Sequence, residues 1–345
     1  MLTQELTRNA LETWLPAGYT ARPATPGDIL GAVALFNAYS RELTGKDEFT
    51  VAKYRLEWEV PGLNMETDIR VVLSPAGQIV GCMEFWDLTE PHARYNTWGR
   101  IHPAHKGLGI GAYFLAWAEE RARHSIAKAP DGARVAMLNW VTDLDKQAQP
   151  LFEKCGWSRI RRSYRMEIDL NAPPPEAAWP AGITVRTFVP GQDERATVTA
   201  DRESFRDHWG FVERPFEDDL QMFVHFMREP DFDPTLWLLA MDGDQIAGIS
   251  LNAAQADDDP DVGWVSSLGV LRPYRRKGLG LALLQHSFAE FYRRGKRKVG
   301  LGVDAYSLTG ATRLYERAGM HVARQFSTFE KELRPGHELS TQSVE

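Results

Sequence analysis

Two short segments of this sequence share one arrangement: a basic residue, two spacers, then Gly-x-Gly at the mouth of an amphipathic helix. The first is Lys106-Gly107-Leu108-Gly109-Ile110-Gly111, and the second is Arg275-Arg276-Lys277-Gly278-Leu279-Gly280. The first turn of a helix carries N–H groups without intrahelical partners and about half a positive charge, so it attracts phosphate. Gly278 and Gly280 remove side chains that would hold a phosphate off, while Arg275, Arg276 and Lys277 add full charges beside it. The chemistry this predicts is the holding of a pyrophosphate. The loop is not a P-loop, since no Gly-Lys-Ser/Thr ending follows, and it lacks the three-glycine dinucleotide spacing with an acidic ribose residue beyond it.

The elements that must position these loops repeat as well. Each half opens on a short strand, Tyr19–Arg22 and Ile183–Arg186, at an offset of 164 residues, followed by helical periodicity in 27–42 and in 191–206. Hairpin tips at Ser74-Pro75-Ala76-Gly77 and Asp242-Gly243-Asp244 lead into Gln78–Gly81 and Gln245–Gly248, 167 apart. The glycine loops lie 169 apart, and the segments Ala148–Phe152 and Ala311–Tyr315 lie 163 apart. Four features at nearly one offset predict a duplicated domain. The fold expected is mixed α/β, each copy reading strand, helix, helix, three strands, helix, strand, helix, strand. The Pro-dense stretch Asn171-Ala-Pro-Pro-Pro-Glu-Ala-Ala-Trp-Pro180 predicts a stiff linker. The domains expected are therefore 1–170 and 183–333, joined by a linker at 171–182 and followed by a loose tail at 334–345.

Composition bounds the rest. A chain of 345 residues, 43% apolar with 11 Trp, has the length and apolar content for two cores. Its net charge of −7 argues against nucleic acid as a partner, and the basic run Arg293-Arg-Gly-Lys-Arg-Lys298 is read as closing a helix C-terminus. Only Cys82 and Cys155 are present, and neither a secretory segment nor a 20-residue apolar span is visible, so a cytoplasmic protein without a membrane partner is expected. His102 and His105 are too few for a metal site, and no metal is expected.

With these segments in hand, the sequence resembles the GNAT superfamily of acyl-CoA-dependent N-acetyltransferases. The resemblance rests on Val270–Gly280 with Leu283 and Leu284 behind it, on Ile101–Gly111, and on Thr309–Gly319 and Leu151–Gly156, which fit the family's fourth helix. It covers about 19–170 and 183–333. It implies two tandem GNAT domains, each a mostly antiparallel sheet flanked by helices with two parallel strands splayed to admit acetyl-CoA. It further implies that backbone groups of Leu268 and Val270 meet the pantetheine arm, and that Arg275, Arg276, Lys277, Gly278, Leu279 and Gly280 meet the pyrophosphate. Lys106, Gly109 and Gly111 would do so in the first copy, and Ser307 stands where related tandem members often have Asn. Lys106 keeps the charge of the usual Arg or Gln position without the planar fork of arginine.

The resemblance also implies that the copies differ. The family commonly uses a Tyr on the fourth helix as the acid that protonates the departing CoA thiolate. Tyr315 occupies that slot, whereas the first copy has Phe152. The C-terminal copy is expected to be catalytic and the N-terminal copy non-catalytic. No Glu sits in the splayed strand to act as base; His208 is a candidate base or acceptor ligand, and Asp207, Trp209 and Asp304 are candidate acceptor-binding residues. The expected acceptor is a primary amine of a small molecule or peptide: a polyamine, an aminoglycoside, a peptide N-terminus, or the cysteinyl amine acetylated by tandem members of the mycothiol synthase kind. The contrasting reading is a CoA-binding sensor or assembly module without turnover. A monomer or homodimer is expected.

Overall fold

The computed structural model describes Leu11 and residues 13–343. These fall into two compact units: the described residues up to Ile160 with Ser327–Leu339, and Arg161–Phe326 with the described residues from Ser340 on.

The first unit runs β1 (Thr20–Pro23), α1 (Ile29–Thr44), α2 (Val51–Trp58), a single helical turn at Met65–Asp68, β2 (Ile69–Leu73), β3 (Ile79–Trp86), β4 (Arg94–Ile101), α3 (Ile110–Arg123), β5 (Val135–Thr142) and α4 (Ala148–Lys154). In α1 the buried residues Ile29, Ala32, Val33, Leu35, Phe36 and Tyr39 form one stripe at helical spacing, which is what seats it on the sheet. The helix stops at Gly45, which takes a left-handed φ of 78° and returns its N–H to the Arg41 carbonyl. The strands β1 to β4 pair antiparallel in sequence order, whereas β4 and β5 pair parallel only from Arg94↔Ala136 to Thr97↔Asn139.

The second unit repeats this with β7 (Ile183–Thr187), α5 (Glu194–Phe205), α6 (Phe216–Phe226), β8 (Leu238–Asp242), β9 (Gln245–Ala253), β10 (Val262–Val270), α7 (Leu279–Arg293), β11 (Lys298–Asp304) and α8 (Ala311–Arg317). Its strands β7 to β10 are antiparallel, and β10 pairs parallel with β11 only from Val262↔Lys298 to Val265↔Leu301. Matching ion pairs mark the duplication. Arg22 grips Asp28 at 2.7 and 2.7 Å, and Arg186 grips Asp193 at 2.6 and 2.8 Å, each carboxylate also accepting a backbone N–H at 2.8 Å, from Thr25 and Val189.

The units do not divide where the sequence reading puts the boundary. The stretch 171–182 carries neither helix nor strand, but β6 (Ser158–Asp169) gives 161–169 to the second unit, and β12 (His321–Arg334) gives 327–334 to the first. There, β6 pairs antiparallel with β11 from Asp304↔Ser163 to Lys298↔Asp169, and in the first unit β12 lies beside β5. The physical reason is edge closure. The outer parallel strand of each copy presents an open row of N–H and C=O groups, and the closing strand of the other copy covers it. The tail expected to be loose is also held. His337 exchanges backbone hydrogen bonds with Gly132 and Arg134 in the first unit, and Thr341 with Gly210 and Phe211 in the second.

Close approach of α5 to β10 requires Gly269. A Cβ there would lie 2.7 Å from the Ser204 Cβ, which the helix backbone fixes in place. Gly269→Ala is expected to cost about 1–3 kcal/mol by pushing α5 off the strand, read as a lowered urea midpoint with an unchanged slope.

Candidate active site

The two glycine loops share one backbone form. Gly109 and Gly278 open their helices at φ 87° and 87°, and two residues earlier Gly107 and Arg276 are also left-handed, at 77° and 61°. Such alternation turns successive N–H groups toward one concavity at the positive end of a helix. A Cβ at Gly278 would meet open space, so a bound group can come close there. The second glycine of each pair has a different use from the one its position suggests. A Cβ on Gly111 would lie 2.5 Å from Leu151, and one on Gly280 would lie 3.2 Å from Leu314, so these glycines seat α3 and α7 against α4 and α8.

The charges of the second loop also divide. Arg276 and Lys277 are exposed and form no ion pair among the described residues, leaving both free for an anion. Arg275 turns inward. Its guanidinium donates to the carbonyls of Val270 and Ser204, each at 2.9 Å, and grips the Asp207 carboxylate. Arg275, expected at the pyrophosphate, is thus paired with Asp207, and the Val270 carbonyl, expected at the pantetheine arm, accepts its Nε–H. Asp207 is likewise committed. Burial alone would raise its pKa, but the hydrogen bonds and charge of Arg275 outweigh this and hold it below the usual carboxylate range. In the first copy Lys106 pairs with Glu42 and lies 3.8 Å from Asp145.

Past the paired stretch, the parallel strands part in both units. In the first unit this opens a cleft of about 980 Å³, running from Gly107, Gly109 and Gly111 past Arg100 and Trp140 to Phe152 and Cys155. The corresponding cavity of the second unit is about 140 Å³, between Leu268 and Gly302–Asp304, with His208, Trp209, Ser307 and Tyr315 around it. Tyr315 sits on α8 with 7% of its surface exposed, and burial pushes its pKa up to about 12, so its hydroxyl keeps its proton at neutral pH. Phe152, at the end of the first cleft, is equally buried, its ring centroid 5.1 Å from that of Phe329 and 5.2 Å from that of Trp157.

Several candidates sit at this cavity yet are already engaged. Ser307 Oγ accepts the Ala311 N–H at 3.2 Å and so caps α8. Asp304 accepts two hydrogen bonds from Arg161, at 2.9 and 2.6 Å. The Trp209 indole donates to Gln342 at 2.9 Å while Arg161 lies over its ring. His208 packs edge-on against Phe205, and burial lowers its pKa, so the ring is neutral at pH 7 and can accept a proton.

A second chamber of the same unit, about 500 Å³, lies between α5, α6 and the sheet, lined by Asp201, Phe205, Phe211, Phe223, Trp237 and Ser267 among others. It shares Phe205, Ser266 and Ser267 with the cavity that holds Tyr315. The junction is a β-bulge: Val265 faces Asn252 and Ser267 faces Leu251, so Ser266 is an extra residue. The first copy has no such bulge, since β3 and β4 pair without interruption from Gly81↔Ile101 to Trp86↔Asn96. Sequence reasoning missed both the bulge and Asp201. The available signal was an acidic residue on the buried side of α5, next to Thr197, Val198, Ala200 and Ser204.

Two splayed sheets, each with a left-handed glycine loop feeding a helix, define a tandem acetyltransferase of the GNAT class. The profile of the Acetyltransferase (GNAT) family matches residues 32–157 and 199–320, and the chain belongs to that family as an N-acetyltransferase. Among curated relatives it is 32% identical over 222 residues to the mycothiol acetyltransferase of Thermobispora bispora, covering 64% of this chain and 70% of that protein. It is 30% identical over 266 residues to the mycothiol acetyltransferase of Streptomyces bingchenggensis, covering 75% and 77%. Among solved structures, a GCN5-related N-acetyltransferase from Sphaerobacter thermophilus superposes with a TM-score of 0.76 at 36% identity, over 95% of this chain and 100% of that one. A tandem GNAT protein from the clavulanic acid biosynthesis pathway shares the fold, with a TM-score of 0.69 at 16% identity over 92% and 99%. Among the described residues no helix is long and apolar enough to cross a membrane, and no group of three or more His, Cys, Asp or Glu is placed to hold a metal.

Proposed function

We propose that the second unit transfers the acetyl group of acetyl-CoA to a primary amine, with Tyr315 as the acid that protonates the leaving thiolate, and that the first unit holds CoA without turning it over. The observation that carries this is that the Tyr315 cavity and the 500 Å³ chamber share Phe205, Ser266 and Ser267 at the bulge. A thioester on one side and an amine on the other would meet where the strands part. In the first unit the corresponding space on the far side of β4 is filled, with Phe36, Phe49, Tyr54 and Trp98 packed ring against ring at 4.8–6.3 Å.

Acetyl-CoA supplies an activated acyl carbon. The chain's own groups then act on three points: Arg276, Lys277 and the first-turn N–H groups of α7 hold the diphosphate, the splay admits the pantetheine arm, and Tyr315 faces the sulfur. The aromatic lining with Asp201 suits a cationic amine. The cysteinyl amine of a thiol sugar is the leading acceptor, supported by the names of the relatives, and polyamines, aminoglycosides and peptide N-termini stand beside it.

The second reading, a cofactor-binding module, is favoured by one observation: the larger cleft, about 980 Å³, belongs to the unit that lacks the phenol. Thiol release from acetyl-CoA against a panel of these amines tests both. Amine-dependent release supports acetyl transfer, whereas tight acetyl-CoA binding with no release from any amine supports the module. Calorimetry with acetyl-CoA is expected to find binding that survives Tyr315→Phe.

A further inference from the structure

We infer that Asp201, held by Ser267, is the group that takes the proton from the acceptor amine; this rests on the acetyl-transfer reading above. Asp201 lines the 500 Å³ chamber from α5, and its only hydrogen bond among the described residues comes from Ser267 Oγ at 2.6 Å. That bond fixes one carboxylate oxygen and leaves the other without a donor. Ser267 directly follows the bulged Ser266 and lines both the chamber and the Tyr315 cavity, so Asp201 is tied to the residue the two spaces share.

The duplication supplies an independent comparison. The ion-paired Asp28 and Asp193 precede α1 and α5, an offset of 165 residues. At that offset the buried residues of α5, Thr197, Val198, Ala200 and Ser204, fall on Ala32, Val33, Leu35 and Tyr39, which are buried in α1. Asp201 then falls on Phe36. Past the bulge the strands align at 169, as the glycine loops do, and Ser267 falls on Trp98. Phe36 and Trp98 are themselves in contact, ring centroids 4.8 Å apart. One pair of touching positions is aromatic in the copy with Phe152 and a carboxylate–hydroxyl pair in the copy with Tyr315. Packing alone does not call for the carboxylate, because its partial burial has a desolvation cost.

The chamber's charges bear on its proton affinity. Burial raises the Asp201 pKa, the Ser267 hydrogen bond lowers it, nearby Asp219 on α6 raises it and Arg214 lowers it, with a net rise. Arg202 of its own helix is spent on Asp219 and Glu213, and Glu229 and Asp231 line the far part of the chamber. The strands contribute only the uncharged Leu251, Asn252, Ala253, Ser266 and Ser267 to the lining. A raised pKa makes the carboxylate a better acceptor while it is still ionised.

The step balances. An ammonium acceptor gives one proton to the Asp201 carboxylate, and the freed lone pair forms the C–N bond at the thioester carbon. Collapse breaks the C–S bond, and the sulfur takes the Tyr315 proton. The second proton shed by nitrogen restores the phenol, and Asp201 passes the first to solvent.

The test is the pH dependence of kcat/KM for thiol release, in the native chain, Asp201→Asn, Asp201→Glu and His208→Gln, with acetyl-CoA binding measured on each. The expected result is a fall of about 100-fold or more in Asp201→Asn, with loss of the acid limb and acetyl-CoA binding unchanged, and recovery of a displaced limb in Asp201→Glu. Retention of the native acid limb in Asp201→Asn, or its loss in His208→Gln alone, overturns the assignment. If Asp201→Asn fails to bind acetyl-CoA, Asp201→Glu decides: a native rate at unshifted pH overturns the inference, and a shifted limb supports it. A native chain silent with every amine overturns the acetyl-transfer reading itself, and so is told apart from failure of Asp201 alone.

Discussion

Tyr315→Phe is expected to lower amine-dependent thiol release by about two to four orders of magnitude while leaving acetyl-CoA affinity within a factor of about three. The hydroxyl is the only atom removed, and the ring keeps its place in the core with Phe288, Leu301 and Met320. Because burial holds the phenol pKa near 12, Tyr315 remains protonated across the whole assay range, and the native rate should show no alkaline decline from it below about pH 11. The reciprocal change, Phe152→Tyr, is expected to confer no turnover. A phenol there would have no acceptor space opposite it, since Phe36 and Trp98 occupy that position. Full activity in Tyr315→Phe would sink the role of acid, and the pH–rate profile of the native chain is the second check.

Asp207→Ala is expected to destabilise the second unit by about 3 kcal/mol. The Asp207 side chain is 6% exposed and that of Arg275 25%, so removing the carboxylate leaves a largely buried guanidinium with two carbonyls and no counter-charge. The loop that follows Arg275 is then less firmly held, and KM for acetyl-CoA should rise with stability falling. The pH dependence has a definite sign. A carboxyl whose pKa is lowered in the fold stabilises above its unfolded pKa of about 3.9 and loses that contribution as pH falls through the folded value. The gap in urea midpoint between native chain and Asp207→Ala should thus be full at pH 7 and narrow only below about pH 4. A gap that stays constant down to pH 3 would mean that packing rather than charge supplies the effect.

What could be seen in the residues beforehand was what neighbouring residues decide among themselves. The order of elements in both copies follows from periodicity and turn chemistry, and the left-handed glycines at 109 and 278 follow from the strand-to-helix transition they must make. The splay of β4 from β5 and β10 from β11 came only with the family resemblance. The inward turn of Arg275 was hidden because it depends on Asp207 and Ser204, some 70 residues away, and a charge run reads the same whether its members face solvent or a carboxylate. Asp304 was read as an open carboxylate for a similar reason, since its partner Arg161 comes from the other copy's closing strand. Asp201 was passed over because a single acidic residue in an amphipathic helix is ordinarily on the wet side. Only the register of α5 against β10 turns it toward Ser267.

The crossed closing strands have a consequence for synthesis. Multidomain chains ordinarily complete their N-terminal domain first, as it leaves the ribosome. Here the first unit lacks the strand beside β5 until 327–334 has been made, while the second has all its strands once Phe326 has emerged. The half of the protein made first is therefore finished last, with the β5 edge open in the interval. During that time it is the surface most exposed to mispairing, and the one a nascent-chain chaperone would have most reason to shield.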